Sequence, residues 1–529
     1  MSTIEQLLKD YGPCLSTELT QRLVDYDVTP EAARQRVSRA PAPVKRLAYL
    51  PFPRNARFMY LQNQYGSPQF WDALERALLK YSPAYGGAIA ALRQRGDLMP
   101  KSHFDIACGS PLALTRHLSP AAVLARLIQA KLFEEIDVPR YGPCIARVQS
   151  SEFYEEMVSA MQARLVVEDI MLKAVRGWAR SLGMVSYDKT KIRGDDASNP
   201  QVGRFAWDFT APSYLGALVD RTEQGKPNPG FLVVDILLNN EVTTEGLAPF
   251  IGKCRTVRSL KVGRCMQIFI ADRYSNEAFK LAKGEGIVPA TPDTLFGKEV
   301  AASLHRLSEV LRQAADSVSP QVFDELFNGL SRIEGAATNL RGALFEFWAA
   351  EAVRQTYPAA QIRMNRIFAD ETDKAEVDVQ ACVGFREIRF YECKGYQPGG
   401  LIPDEEVDRW LEKRIPLVYK QARDASEWRG MNFHFEFWTT GRLSDAAVAK
   451  ITTAQNTIRS TRYTLAYRDA ENLASFAAEI KDRALIGTLR QHFLDHPMAK
   501  IQRAEERRQR KERGTTQEDA DVGHESMIR

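Results

Sequence analysis

The period of apolar and polar positions changes along the chain, and each change marks a region. Residues 4–11 and 16–26 carry helical spacing, the first stopped by Gly12-Pro13. Ser16 is placed to cap the second helix. Thr29-Pro30-Glu31 opens a third with a capping hydroxyl, a proline at the first position and an early acid. VKRLAYLPFPRNARFMYL then gives two short strand-like runs around a Pro-Arg-Asn turn. The plan recurs over 66–149: FWDALERALLKY and YGGAIAALRQRG are helical, and SPAAVLARL at 119–127 echoes TPEAARQRV at 29–37.

From residue 152 the pattern alternates between helix and strand. A long helix over 153–182 is followed by the polar loop KTKIRGDDASNPQ. Then come strands GRFAWDFTA and FLVVDILLNN, a helix near 245–260, strand CMQIFIA, helix SNEAFKLAKGEG and the strand-like IVPATP. Helices over 301–335 lead to a second alternating region. There a helix at 340–355 precedes strands QIRMNRIF, AEVDVQACVG and EIRFYECKG, a helix at 405–424, strand NFHFEFWTT and, later, RYTLAYR. AEERRQRKERG near the end has no apolar face and predicts a solvated, disordered tail.

These changes predict a multidomain α/β chain with an α+β N-terminal region. The expected domains are 1–64, 65–150, 151–300, a helical connector at 301–335, 336–498, and the tail at 499–529. At 529 residues the length allows several domains, and 44% hydrophobic with 26% charged residues excludes a wholly disordered or collagen-like chain. No apolar run approaches membrane-spanning length, and no signal peptide is read at the N-terminus. Seven dispersed cysteines without a CxxC pair predict reduced thiols in the cytoplasm and argue against a structural zinc site. His492 and His496 have helical i, i+4 spacing, but no third zinc ligand is evident.

The net charge of +4 is too small to imply nucleic acid, but its distribution is uneven. Helix, helix, helix, hairpin is the order of a winged helix. Arg34, Arg36, Arg39, Lys45, Arg46, Arg54 and Arg57 fall in its third helix and wing, against one acid, Glu31. Such a surface suits phosphate contacts and a helix in the major groove of DNA. The second copy carries a more apolar third helix and reads as structural.

The chemistry-bearing segment is EVDVQACVGFREIRFYECKG. Asp378 lies on one predicted strand, Glu392 and Lys394 on the next. Residues i and i+2 of a strand share a face, so Glu392 and Lys394 project together toward the side Asp378 can reach. Two carboxylates and the Cys393 carbonyl are hard oxygen donors suited to Mg²⁺. A lysine beside them can orient water and balance phosphate charge. Glu479-Ile480-Lys481 repeats the letters in a helical pattern, where i and i+2 diverge, and is rejected.

Asp378 with Glu392-Cys393-Lys394, in the order helix, three strands, helix, strand over residues 336–440, resembles the PD-(D/E)XK (restriction-endonuclease-like) nuclease superfamily. Val377 stands where the family name has proline. The resemblance implies an Mg²⁺-dependent DNA endonuclease, with Mn²⁺ as a substitute metal. Asp378, Glu392, the Cys393 carbonyl and Glu346 would form the metal site, with Lys394 beside the water. Lys413, Lys420 and Gln421 lie on the next helix, where some members contact phosphate. A role in bacterial restriction or anti-phage defence follows by analogy. A repair or recombination nuclease and a non-catalytic DNA-binding regulator are the rivals. With no P-loop in the sequence, a motor would be a separate ATPase or defence-system subunit; two cuts would call for a homodimer.

The region 151–300 gives a weaker echo through Glu168, Asp208 and Asp235. Its triplet is Asp235-Ile236-Leu237, so leucine stands at the lysine position, and a degenerate domain is expected.

Overall fold

The structure, a computed structural model, describes residues 3–148, 154–221, 227–260, 262–312, 320–330, 336–370, 373–396, 398–458, 463–480 and 482–494. The charged tail expected at 499–529 lies outside them, as do Lys481 and His496. The chain is a multidomain α/β protein and divides into two compact units, Met1–Ser308 and Glu309–Arg529. No helix among the described residues is long and apolar enough to cross a membrane.

The first unit begins with α1 (Ile4–Tyr11), β1 (Cys14–Leu15), α2 (Ser16–Asp25), α3 (Pro30–Ser38), β2 (Val44–Arg46) and β3 (Phe58–Leu61). The strands form an antiparallel sheet ordered β1-β3-β2. Leu7, Leu8, Leu19, Ala33, Val37 and Met59 share one buried core, so the apolar stripes of the helices close over this sheet. Ser16 does not cap α2: it is the helix's first residue, and its hydroxyl accepts the Arg57 N–H at 3.0 Å, tying α2 to the strand that follows the turn. Thr29 precedes α3 in extended conformation without a side-chain cap bond, so Pro30 supplies the start signal.

After α4 (Pro68–Tyr81) the same order recurs: α5 (Pro83–Gln94), β4 (Leu98–Pro100), α6 (Lys101–Ala107), α7 (Pro120–Gln129), β5 (Phe133–Val138) and β6 (Gly142–Arg147). This sheet is ordered β4-β6-β5, again antiparallel, with the third strand in the middle. The repeated plan is therefore present in both connectivity and sheet order.

Then follow α8 (Tyr154–Ser181), β7 (Lys191–Ile192), a small pair β8 (Gln201–Val202) and β9 (Phe205–Ala206), and β10 (Phe209–Ser213). A second small pair, β11 (Asp220–Arg221) and β12 (Pro227–Asn228), leads to β13 (Gly230–Val242), α9 (Thr244–Ser259), β14 (Cys265–Tyr274), α10 (Asn276–Gly284) and β15 (Val288–Ala290). The main sheet is ordered β15-β14-β13-β10-β7. β7, β10 and β13 run antiparallel in succession, and β14 and β15 join in parallel. The run GRFAWDFTA, expected as one strand, is broken at Trp207-Asp208. α11 (Pro292–Phe296) and α12 (Lys298–Arg312) follow.

The second unit contains α13 (Pro320–Leu330) and α14 (Ala336–Thr356), then β16 (Gln361–Ala369), β17 (Lys374–Val383) and β18 (Glu387–Lys394). α15 (Asp404–Arg409) and α16 (Ile415–Asp424) are joined by a π-helical turn at Trp410–Arg414. β19 (Asn432–Thr439), α17 (Asp445–Thr457), β20 (Thr464–Arg468) and α18 (Ala470–Glu479) follow. The sheet is ordered β16-β17-β18-β19-β20, antiparallel through β18 and parallel beyond. Its strand order and directions are those of the five-stranded sheet in the first unit.

One face of the second unit's sheet presents Ile388, Phe390, Phe435 and Phe437 to α15 and α16. The buried residues on those helices and the turn between them are Val407, Trp410, Ile415, Leu417, Val418 and Ala422. The step from Trp410 to Ile415 is five residues, and it spans the π turn. The Ile415 N–H donates to the Trp410 carbonyl, and Pro416 has no N–H to offer a regular α-helix.

Candidate active site

β17 and β18 are paired from Val383↔Glu387 to Val379↔Tyr391, and Asp378 and Glu392 come next on each strand. There the Cys393 N–H donates to Asp378 Oδ2 at 2.7 Å, so a carboxylate takes the place of a ladder carbonyl. β18 stays paired with β19 as far as Lys394↔Thr439, and the Lys394 carbonyl accepts the Thr439 hydroxyl at 2.9 Å. The end of β18 is thus held from one side by main chain and from the other by Asp378.

Asp378 is fully buried and Glu392 is 4% exposed. Two carboxylates at that depth require compensation. Lys394 Nζ lies 2.7 Å from Glu392 Oε1 and 3.6 Å from Glu406 Oε2. The i, i+2 projection expected of a strand therefore brings the two side chains together. Arg414, the last residue of the π turn, holds the same Glu392 oxygen. Glu376, Glu392 and Arg414 line a small cleft with Trp410 and Phe390.

Burial pushes the Cys393 thiol well above its ordinary range, and Asp378, Glu346 and Glu392 add to the shift while Lys394 opposes it. Glu346, on α14, is thus near enough to act on the Cys393 thiol. The donors present are hard oxygens, the right kind for Mg²⁺. They are not drawn into a ligand sphere: among the described residues no three acid, histidine or cysteine side chains converge as a metal site. The engagement of Glu392 by Lys394 and Arg414 is one physical reason.

Of the residues on the following helix, Lys420 is directed elsewhere, with its Nζ 3.1 Å from Asp370 Oδ2. Lys413 is exposed, and it is its neighbour Arg414 that reaches the site. His492 is buried and stacked on Phe327 with centroids 4.2 Å apart. All seven cysteines are free thiols. α18 ends at Glu479 and Ile480 is extended, so the second acid-x-lysine triplet begins at a helix end.

In the first unit, Arg34, Arg36, Arg39, Lys45, Arg46, Arg54 and Arg57 are all exposed. Arg46 has a structural task as well: its Nη2 donates to the carbonyls of Val37, Ser38 and Ala40 and so closes the C-terminal end of α3. Arg54 and Asn55 adopt left-handed backbone at the turn before β3.

The weaker echo in the first unit is a buried ion network. Ile236 N–H donates to Asp208 Oδ2 at 2.8 Å, and Asp235 Oδ1 accepts the Asp208 N–H at 3.2 Å. Lys253, on α9, is paired with Asp235 and also donates to the Ala206 carbonyl at 2.8 Å. Its ammonium lies 4.0 Å from the Trp207 ring centroid. Leu237 cannot supply a cation, and the helix supplies one in its place.

No family model and no curated protein matches this chain. A crystal structure of protein VC1899 from Vibrio cholerae is similar at 12% identity with a TM-score of 0.13, over 45% of this chain and 56% of that chain. The match spans little more than half of that protein, and at this TM-score it carries no argument about fold or function.

Proposed function

We propose that the chain is a metal-dependent DNA endonuclease that hydrolyses phosphodiester bonds, with its reacting centre at Asp378, Glu392 and Lys394. The observation that carries this reading is the hydrogen bond from Cys393 to Asp378. It fixes one carboxylate at the end of β18, beside the Glu392–Lys394 pair. In this reading the second unit is a PD-(D/E)XK domain, and each three-stranded sheet with its helices is a winged helix.

Asp378, Glu392 and the Cys393 carbonyl would hold Mg²⁺ or Mn²⁺, with Glu346 in support. The metal, when bound, supplies Lewis acidity toward water and phosphate. Lys394 places a positive charge beside the entering water and the phosphate oxygens. Water supplies the oxygen that joins phosphorus, and the bond to the leaving sugar oxygen breaks. Glu392, held at one oxygen by Lys394 and Arg414, would offer its carboxylate to the metal, and either cation would serve a phosphate oxygen. The exposed basic residues of α3 and the following turn would grip duplex DNA. A place in bacterial restriction or anti-phage defence is proposed by analogy with the superfamily.

One observation favours a second reading, a DNA-binding regulator without chemistry: two cations already compensate Glu392. Plasmid cleavage separates the two. Wild type and Lys394→Ala are incubated with supercoiled DNA and Mg²⁺, Mn²⁺ or EDTA. Metal-dependent cutting that the variant loses is expected. Tight DNA binding without cutting in either metal would leave the regulator.

A further inference from the structure

We propose that the ion network of the first unit is a second copy of the Asp378 site in which Arg193 permanently fills the cation position, so that each chain carries one hydrolytic centre. The inference rests on the nuclease reading of the second unit.

Three correspondences make the network a copy. The two five-stranded sheets have the same order and strand directions. In each, the middle residue of the triplet donates its N–H to an aspartate upstream: Ile236 to Asp208 at 2.8 Å, Cys393 to Asp378 at 2.7 Å. In each, the first acid of the triplet is held by a cation from the helical segment that follows: Asp235 by Lys253, Glu392 by Arg414.

Besides Leu237 at the lysine position, the copies differ at the register position that faces the upstream aspartate. In the first unit, β7 pairs with β10 through Ile192↔Phe209, and the next residues are Arg193 and Asp208, whose main chains also bond at 2.8 Å. Arg193 donates Nη1 to Asp208 Oδ1 at 2.6 Å and Nη2 to Glu168 Oε2 at 2.7 Å. Its side chain is 9% exposed and Glu168 1%, so this bridge is sealed from water. In the second unit, Met364↔Val379 and Arg366↔Val377 flank a one-position gap in the pairing, and the residue facing Asp378 is Asn365, with φ 54°. The position is neutral where the other copy has a guanidinium.

A guanidinium bridging two carboxylates supplies charge but no vacant coordination position and no activated water. Even with its acids in place, the first copy therefore cannot hydrolyse a phosphodiester. One binding event by one chain opens one strand, and a double-strand break needs two chains or two encounters.

The test uses full-length protein. Mn²⁺ binding is followed by electron paramagnetic resonance and thermal melting in wild type, Asp378→Asn and Asp378→Asn/Arg193→Ala. Asp378→Asn is expected to lose the wild-type ion, with a melting temperature indifferent to Mn²⁺. Removing Arg193 as well leaves Glu168 and Asp208 buried without the bridging charge. That double variant is expected to melt lower in EDTA and to recover several degrees with Mn²⁺. Asp378→Asn/Arg193→Lys keeps a cation and is expected to ignore the metal. Persistent Mn²⁺ binding at the first copy in Asp378→Asn overturns the proposal. So does an Arg193→Ala double variant that gains nothing from Mn²⁺, whether it stays folded or fails to fold under conditions where the Lys variant folds. Absence of an Asp378-dependent ion in wild type would instead count against the nuclease reading, and the Arg193 comparison would still decide the copy.

Discussion

The main-chain N–H of Cys393 and the carboxylate of Asp378 are hydrogen-bonded at 2.7 Å across the point where two antiparallel strands part. Asparagine offers the same acceptor without the charge. Asp378→Asn should therefore keep the strand end in place while removing the charge proposed to hold the metal. Cleavage is expected to fall at least about 100-fold, on the scale of losing one charge-stabilising group. Plasmid cleavage and a thermal melt on the same preparation check this. Unchanged cutting would move the reacting centre elsewhere.

Arg414→Met removes one of the cations that hold Glu392 and keeps Lys394, 2.7 Å away. Because the carboxylate is 4% exposed, the loss should cost about 1–3 kcal/mol in urea unfolding. Glu392→Gln in the same background should recover part of that loss, since the uncompensated charge is removed. A strictly additive pair of effects would deny the coupling.

Asp235 is pushed up to about 6 because burial outweighs the pull of Lys253. An unfolded aspartate titrates near about 3.9. Between those values the folded chain binds more protons than the unfolded chain, so this group's contribution to stability falls as pH rises through the window. Urea midpoints are expected to increase from pH 7 to pH 5.5. Asp235→Asn should flatten that part of the profile, and an unaltered slope would exclude Asp235 as its source.

The exposed arginines of α3 and β2 divide by task. Arg34→Ala should weaken DNA binding and lower the slope of log affinity against log salt by roughly 0.9 for a lost phosphate contact. Arg46→Ala should mainly lower the melting temperature, because its guanidinium closes the end of α3. Salt titrations and melts of the two variants would distinguish these outcomes. Equal salt slopes for Arg34→Ala and wild type would remove α3 from the interface.

The longer strands of both large sheets are legible because β-rich runs announce themselves, whereas the two-residue β7 falls in a stretch read as a polar loop. The meeting of Glu392 with Lys394 followed from the two-residue period. Three things were hidden. β1 and β4 have two and three residues, too few to show any period. Arg193 sits in a polar stretch that reads as loop, and its role appears when β7 lays it beside Asp208. Lys253 stands eighteen residues after its partner Asp235, on a helix folded back onto the sheet. Leu237 at the lysine position therefore says nothing about the cation that Asp235 meets from the helix.

The π turn at Trp410–Arg414 makes the helix that contains it intolerant of a change in length. Deleting one residue there would restore regular winding and turn everything from Ile415 onward by about 100°. Ile415, Val418 and Ala422 would leave the apolar face together, and Arg414 would leave Glu392. A point substitution tests one of these contacts, whereas a single-codon deletion would remove both at once. The spare residue works as a phase setting, placing the packing of one face and the charge at its edge in a common frame.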